Sequence, residues 1–90
     1  MAVLIDPPGW PAHGRQWSHL ASDTSYAELH AFAGRVGLPR RAFERDHYDV
    51  VAERFDDVLA AGAELVTSRE LVARLRAAGL RQRKVSRLAP

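Results

Sequence analysis

Ninety residues, 47% of them hydrophobic, supply one core and are too few for two. The absence of cysteine excludes a disulfide scaffold, a thiolate zinc site and a cysteine nucleophile, and fits a reducing compartment. The net charge of +2 conceals a division: residues 1–68 carry six Arg against ten Asp and Glu, whereas residues 69–90 carry six Arg and one Lys against Glu70 alone.

In chain order, Ala2 to Ile5 is an apolar run closed by Asp6-Pro7-Pro8-Gly9, which reads as a strand ending in turn punctuation. Residues 7–15 hold three prolines and two glycines and read as a loop. Trp17 to Ser22 reads as a second strand, with Trp17, His19 and Ala21 on one face and Ser18, Leu20 and Ser22 on the other. Ser25-x-x-Glu28 matches a capping box and opens a helix to about Val36, with Leu29, Phe32, Ala33 and Val36 as its apolar stripe. Gly37 and Pro39 stop it.

Arg40 to Tyr48 reads as a third strand, with Asp49 or a neighbour capping a second helix over about 51–61. Ala63 to Val66 reads as a fourth strand. Thr67 or Ser68 caps a third helix carrying Leu71, Val72, Leu75 and Ala78 on one face. The order β-β-α-β-α-β-α predicts an α/β fold: a small, mainly parallel four-stranded sheet flanked by three helices. Residues 1–80 form this single domain, and 81–90 are expected to be a frayed basic tail. No segment reaches the roughly 20 apolar residues of a membrane span. The first residues lack a basic leader region, so the expected location is the cytoplasm.

In parallel sheets, sites form beyond the strand carboxyl ends. Here those ends deliver Asp6, Asp23 and the run Asp46-His47-Tyr48-Asp49, which should converge on one rim. Crowded carboxylates repel unless a cation, an arginine or shared protons lie between them. Oxygen donors suit Mg²⁺ or Mn²⁺, and added imidazole shifts the preference toward Mn²⁺, Fe²⁺ or Zn²⁺. The candidate metal ligands are Asp6, His19, Asp23 and His47, and the candidate catalytic group is His47 with Asp46 and Asp49. A neighbouring carboxylate orients an imidazole and raises its pKa, which favours His47.

Trp10, Arg15 and Trp17 can stack a planar ligand or simply pin their loop to the core, and the residues alone leave both open. Arg40, Arg41 and Arg45 can hold an anion or neutralise nearby acids. No glycine-rich phosphate loop, dinucleotide fingerprint, G-x-S-x-G or H-E-x-x-H motif is present.

The phrases Trp17-Ser-His-Leu-Ala-Ser-Asp-Thr24, Glu28-Leu-His-Ala-Phe-Ala33 and Phe43-Glu-Arg-Asp-His-Tyr-Asp49 resemble a bacterial and phage family of small proteins, DUF4031, known as a domain of unknown function. The likeness spans about residues 2–80. It groups Asp6, His19, Asp23 and Asp46 to Asp49 together and implies no particular chemistry. Three functions follow as expectations. The first is metal-assisted hydrolysis of a phosphoester or nucleic acid at a His/Asp site. The second is a non-catalytic module binding nucleic acid, an anionic small molecule or a protein. The third is a structural or regulatory homodimer.

Overall fold

The computed structural model describes residues 2–82. Val3–Ile5 forms β1, and all three side chains are buried, as expected of an unbroken apolar run enclosed on both faces. The loop expected over residues 7–15 instead contains a strand. Trp10–Ala12 (β2) and Arg15–Ser22 (β3) pair antiparallel around His13-Gly14. Both turn residues have positive φ, +52° and +72°, the type I′ combination whose twist suits a two-residue hairpin. Pro11 is tolerated because β2 pairs on one side only.

Helix α1, Tyr26–Arg35, starts where the capping pattern placed it: the Glu28 N–H donates to Ser25 Oγ at 3.0 Å. The second arm of the box differs. The Glu28 carboxylate accepts from the Ser22 hydroxyl at 2.6 Å, and that hydroxyl oxygen accepts from the Thr24 and Ser25 N–H groups. Gly37, at φ +79°, turns the chain so that the Leu38 N–H reaches the Ala33 carbonyl at 2.9 Å.

The third strand expected over residues 40–48 divides into a 3₁₀ turn (Arg40–Ala42), a two-residue strand β4 (Phe43–Glu44) and a longer β5 (His47–Val51). Asp49 therefore lies mid-strand and caps no helix. A second 3₁₀ turn, Ala52–Arg54, leads into the short α2, Phe55–Ala60. β6 (Glu64–Leu65) and α3 (Ser68–Ala77) complete the fold, with Thr67 Oγ1 accepting from the Glu70 N–H at 3.0 Å.

The sheet is mixed and six-stranded, not four-stranded and parallel. Its order is β4-β5-β3-β1-β6, with β2 beside β3, and among the described residues only β1 and β6 pair in parallel. The physical reason is the β4–β5 hairpin. Helix α1 does return the chain to a strand running as β3 runs, namely β4. The two-residue turn at Arg45-Asp46 then drops β5 antiparallel between them.

Two helices cover one face of the sheet. Val3, Ile5, Leu20, Tyr48 and Val50 pack there against Leu29, Phe32 and Ala33 of α1 and Val58 of α2. Helix α3 covers only part of the other face, where Leu71 and Leu75 pack on Leu4 and Ala21. Trp17, Asp49 and Val51 share that second face and stay half-buried. Among the described residues no helix is long and apolar enough to cross a membrane.

Candidate metal and substrate site

Strand alternation builds the site. On β3, side chains 17, 19 and 21 share a face, and on β5 so do 47, 49 and 51. The register sets His19 directly opposite Asp49. Just past β1, Asp6 continues alongside β3, its N–H donating to the His19 carbonyl at 3.2 Å. Asp6, His19 and Asp49 thus form a row across the sheet, with His47 diagonal to it. His19 and Asp49 lie beyond the part covered by α3, and their side chains stay 32% and 23% exposed.

His19, His47 and Asp49 can each turn one ligand atom inward, and these atoms lie within 4.8 Å of one another. Ligands about 2.0–2.2 Å from one cation stand about 3–3.4 Å apart, so side-chain rotations of about an ångström would close the set. Behind each imidazole sits a buried carboxylate. His19 Nδ1 is 2.8 Å from Asp6 Oδ2, and His47 Nδ1 is 2.8 Å from Asp46 Oδ1. An imidazole that donates Nδ1–H to a carboxylate keeps its Nε2 lone pair for a metal, the usual outer-shell arrangement of metal-bound histidine.

One further observation fits a cation. Asp49 Oδ1 is buried and 3.1 Å from His47 Nε2, yet it receives no well-aligned hydrogen bond. A buried carboxylate oxygen is costly unless a positive charge approaches it, a charge that protonated His47 supplies here and that a cation could supply in its place. Two imidazoles and one carboxylate suit Zn²⁺, Mn²⁺ or Fe²⁺ better than Mg²⁺, which prefers oxygen donors. Three protein ligands also leave the open position of a catalytic site.

The supporting carboxylates are held from several sides. Burial pushes Asp6 up, but the His19 ring, the His19 N–H at 2.6 Å and the Ser68 hydroxyl at 2.6 Å outweigh it and lower its pKa. Burial of Asp46 is likewise outweighed, by His47, the Gln82 N–H at 2.8 Å and the Arg81 guanidinium at 3.0 Å. For His47, burial disfavours the cation, but the Asp49 and Asp46 carboxylates prevail and raise its pKa. Without a metal, that imidazole therefore holds its proton more tightly than an ordinary histidine.

Besides a cleft of about 380 Å³ lined by Asp6, Trp10, His19 and Ser68, two more adjoin the cluster. One, of about 560 Å³, is lined by Trp10, Trp17, Val51, Arg41 and Arg54 and reaches Asp49. The other, of about 240 Å³, is lined by His19, His47, Arg45 and Arg81, with Leu71 and Leu75 of α3. The Trp10 ring stacks against His19 (centroids 5.4 Å, 18°) and against Trp17 (6.0 Å, 26°). Arg45 sits at φ +57° in the β4–β5 turn, a left-handed conformation that costs a non-glycine residue about 1–2 kcal/mol.

The residues expected to act together are thus distributed as follows. Asp6, His19, Asp46, His47 and Asp49 come together, with Asp49 in the inner set and Asp6 and Asp46 behind the imidazoles. Asp23 stands at the opposite end of β1. Its carboxylate accepts from the Ala2 N–H at 2.8 Å and from Arg74 at 2.6 Å, a structural role far from the cluster. The expected single rim of strand ends fails because β3 runs antiparallel to β1, pairing Ser22 with Val3. Trp10, Trp17 and Arg41 share a cleft; Arg15 points to Glu53 at 3.9 Å, and Arg40 does not line that cleft. Ser68, expected as a cap at the end of the fourth strand, and Arg81, expected in the tail, prove to support Asp6 and Asp46. No short-range pattern announces either contact, since they bridge 62 and 35 positions.

Fold and site define a small mixed α/β domain with a two-histidine, one-aspartate cluster on the open part of its sheet. Residues 3–78 match the family described as Protein of unknown function (DUF4031), and the chain belongs to that family. Neither a curated protein nor a solved structure matches it.

Proposed function

We propose that this protein is a metal-dependent hydrolase of phosphoesters, with the cation held by His19, His47 and Asp49. The observation that carries the reading is the paired architecture of the histidines: each Nδ1 is held by a buried carboxylate at 2.8 Å, while the cluster faces the uncovered part of the sheet. Two imidazoles fixed in this way are preorganised as ligands.

A divalent cation, if held by His19, His47 and Asp49, would supply Lewis-acid chemistry that activates water and polarises a phosphoryl oxygen. Water then adds across one P–O bond. Its oxygen bonds to phosphorus, the P–O bond to the departing alcohol breaks, and its proton ends on that alcohol. No redox partner is required. Arg41 and Arg45, one on each side of the cluster, supply positive charge for the anionic ester.

Calorimetric titration of the metal-free protein with Zn²⁺, Mn²⁺ and Mg²⁺, followed by assay on a chromogenic phosphodiester, tests the reading. One equivalent of Zn²⁺ or Mn²⁺ should bind, Mg²⁺ more weakly, and His47→Ala should lose both binding and turnover. Absence of binding by all three ions would sink it.

A further inference from the structure

We propose that the substrate is single-stranded nucleic acid, with one nucleotide seated in the cleft between the tryptophans and Arg41. This rests on the hydrolase reading for the chemistry but not for the binding. The cleft of about 560 Å³ lies within the roughly 300–1,000 Å³ of small-ligand sites and admits one nucleotide, not a duplex.

Three observations select this occupant. First, the near-parallel rings of Trp17, Trp10 and His19 form a continuous row from the cleft to the cluster. Aromatic rows beside an open sheet face are platforms on which bases stack without regard to sequence. Second, Arg41 lines the same cleft, and among the described residues its guanidinium has no ion pair or hydrogen bond in the structure. Third, several clefts meet at the cluster: Asp49 opens onto the tryptophan cleft, His47 and Arg45 onto a second, and His19 with Trp10 onto a third beside Asp6. A phosphodiester at the cluster would therefore send one nucleotide toward the tryptophans and the neighbouring backbone toward Arg45, as a strand requires and a free mononucleotide does not. Glu44 and Asp49 also border the tryptophan cleft, so the phosphate belongs at the cluster and the base among the rings.

Fluorescence anisotropy of a labelled ten-nucleotide single strand, in EDTA and again with Zn²⁺, tests this on the full chain. The strand should bind in both conditions and weaken as salt rises, and Arg41→Ala should reduce the salt slope by about one phosphate contact. Trp17→Ala should weaken binding roughly 5- to 100-fold. Should that variant unfold, the exposed Arg41→Glu carries the test, with binding expected to fall at least as far as in Arg41→Ala. The proposal is overturned if a duplex of the same sequence, or a mononucleotide, binds as tightly as the strand, or if these variants bind it unchanged. Zn²⁺ titration and strand binding of the unsubstituted chain, measured side by side, separate the two readings. Normal Zn²⁺ binding without strand binding defeats the substrate assignment alone, whereas strand binding in a protein that takes up no metal defeats the hydrolase reading alone.

Discussion

Asp46 and His47 are sequence neighbours that the β4–β5 turn aims at one another: Asp46 is fully buried, and its Oδ1 lies 2.8 Å from His47 Nδ1. Its other oxygen anchors the segment that follows α3, accepting from the Gln82 N–H and the Arg81 guanidinium. One carboxylate thus links the candidate ligand His47 to the chain's last described turn. Asp46→Asn keeps the shape but weakens the hold on the imidazole. Zn²⁺ affinity should fall about 10- to 100-fold, as for other outer-shell substitutions, in calorimetric titration. Asp6→Asn should act similarly through His19.

Arg81→Ala removes one donor from Asp46 and leaves the Gln82 N–H and His47 in place. The loss should be about 1–2 kcal/mol of stability, the scale of a charge-assisted hydrogen bond at a half-exposed donor. Urea denaturation would measure it. An unchanged midpoint would mean that residues 80–82 do not brace the site in solution.

Asp23 provides the contrast. Its pKa is lowered to about 2 from an ordinary 3.8, chiefly by the Ala2 N–H and further by Arg74. A depressed folded-state pKa contributes stability that is fully present above 3.8 and is lost as pH falls through 2. Asp23→Asn should therefore destabilise the chain near neutrality, with the difference from wild type shrinking as acid is added below pH 3.8. Its Zn²⁺ affinity should equal that of wild type. Denaturation across pH and a single titration check the two halves.

The Arg45 backbone carries strain that glycine would not. Arg45→Gly should hold or raise stability, by up to about 1 kcal/mol, because relief of the left-handed penalty offsets the added chain entropy. Phosphodiester turnover should fall with the lost charge. Thermal denaturation and the chromogenic assay separate the two effects.

Local chemistry made much of the architecture legible. Ser25 and Thr67 cap the helices where their patterns placed them, and the apolar stripes of α1 and α3 face the core. His47 stood out from its acidic neighbours, whereas His19 was named only as an imidazole that could complete a metal set. Pairing direction was not legible. A helix between two strands implies a parallel crossover, and the turn at Arg45-Asp46 carries no glycine or asparagine to announce a hairpin. That turn moves His47, Tyr48 and Asp49 from the carboxyl end of the expected strand to the start of β5 and makes Asp49 a ligand candidate rather than a cap. The alternation of buried Tyr48 and Val50 with half-buried His47 and Asp49 was the available signal, and its charges disguised it. Asp23 was grouped with Asp6 by the same error of direction.

The most direct test of the central claim is an anomalous-scattering map from a crystal of the protein grown with Zn²⁺ or Mn²⁺. The account predicts one strong peak about 2.0–2.2 Å from a nitrogen of His19, a nitrogen of His47 and a carboxylate oxygen of Asp49. A map with no peak among these three side chains, at metal concentrations that saturate the calorimetric titration, would contradict it.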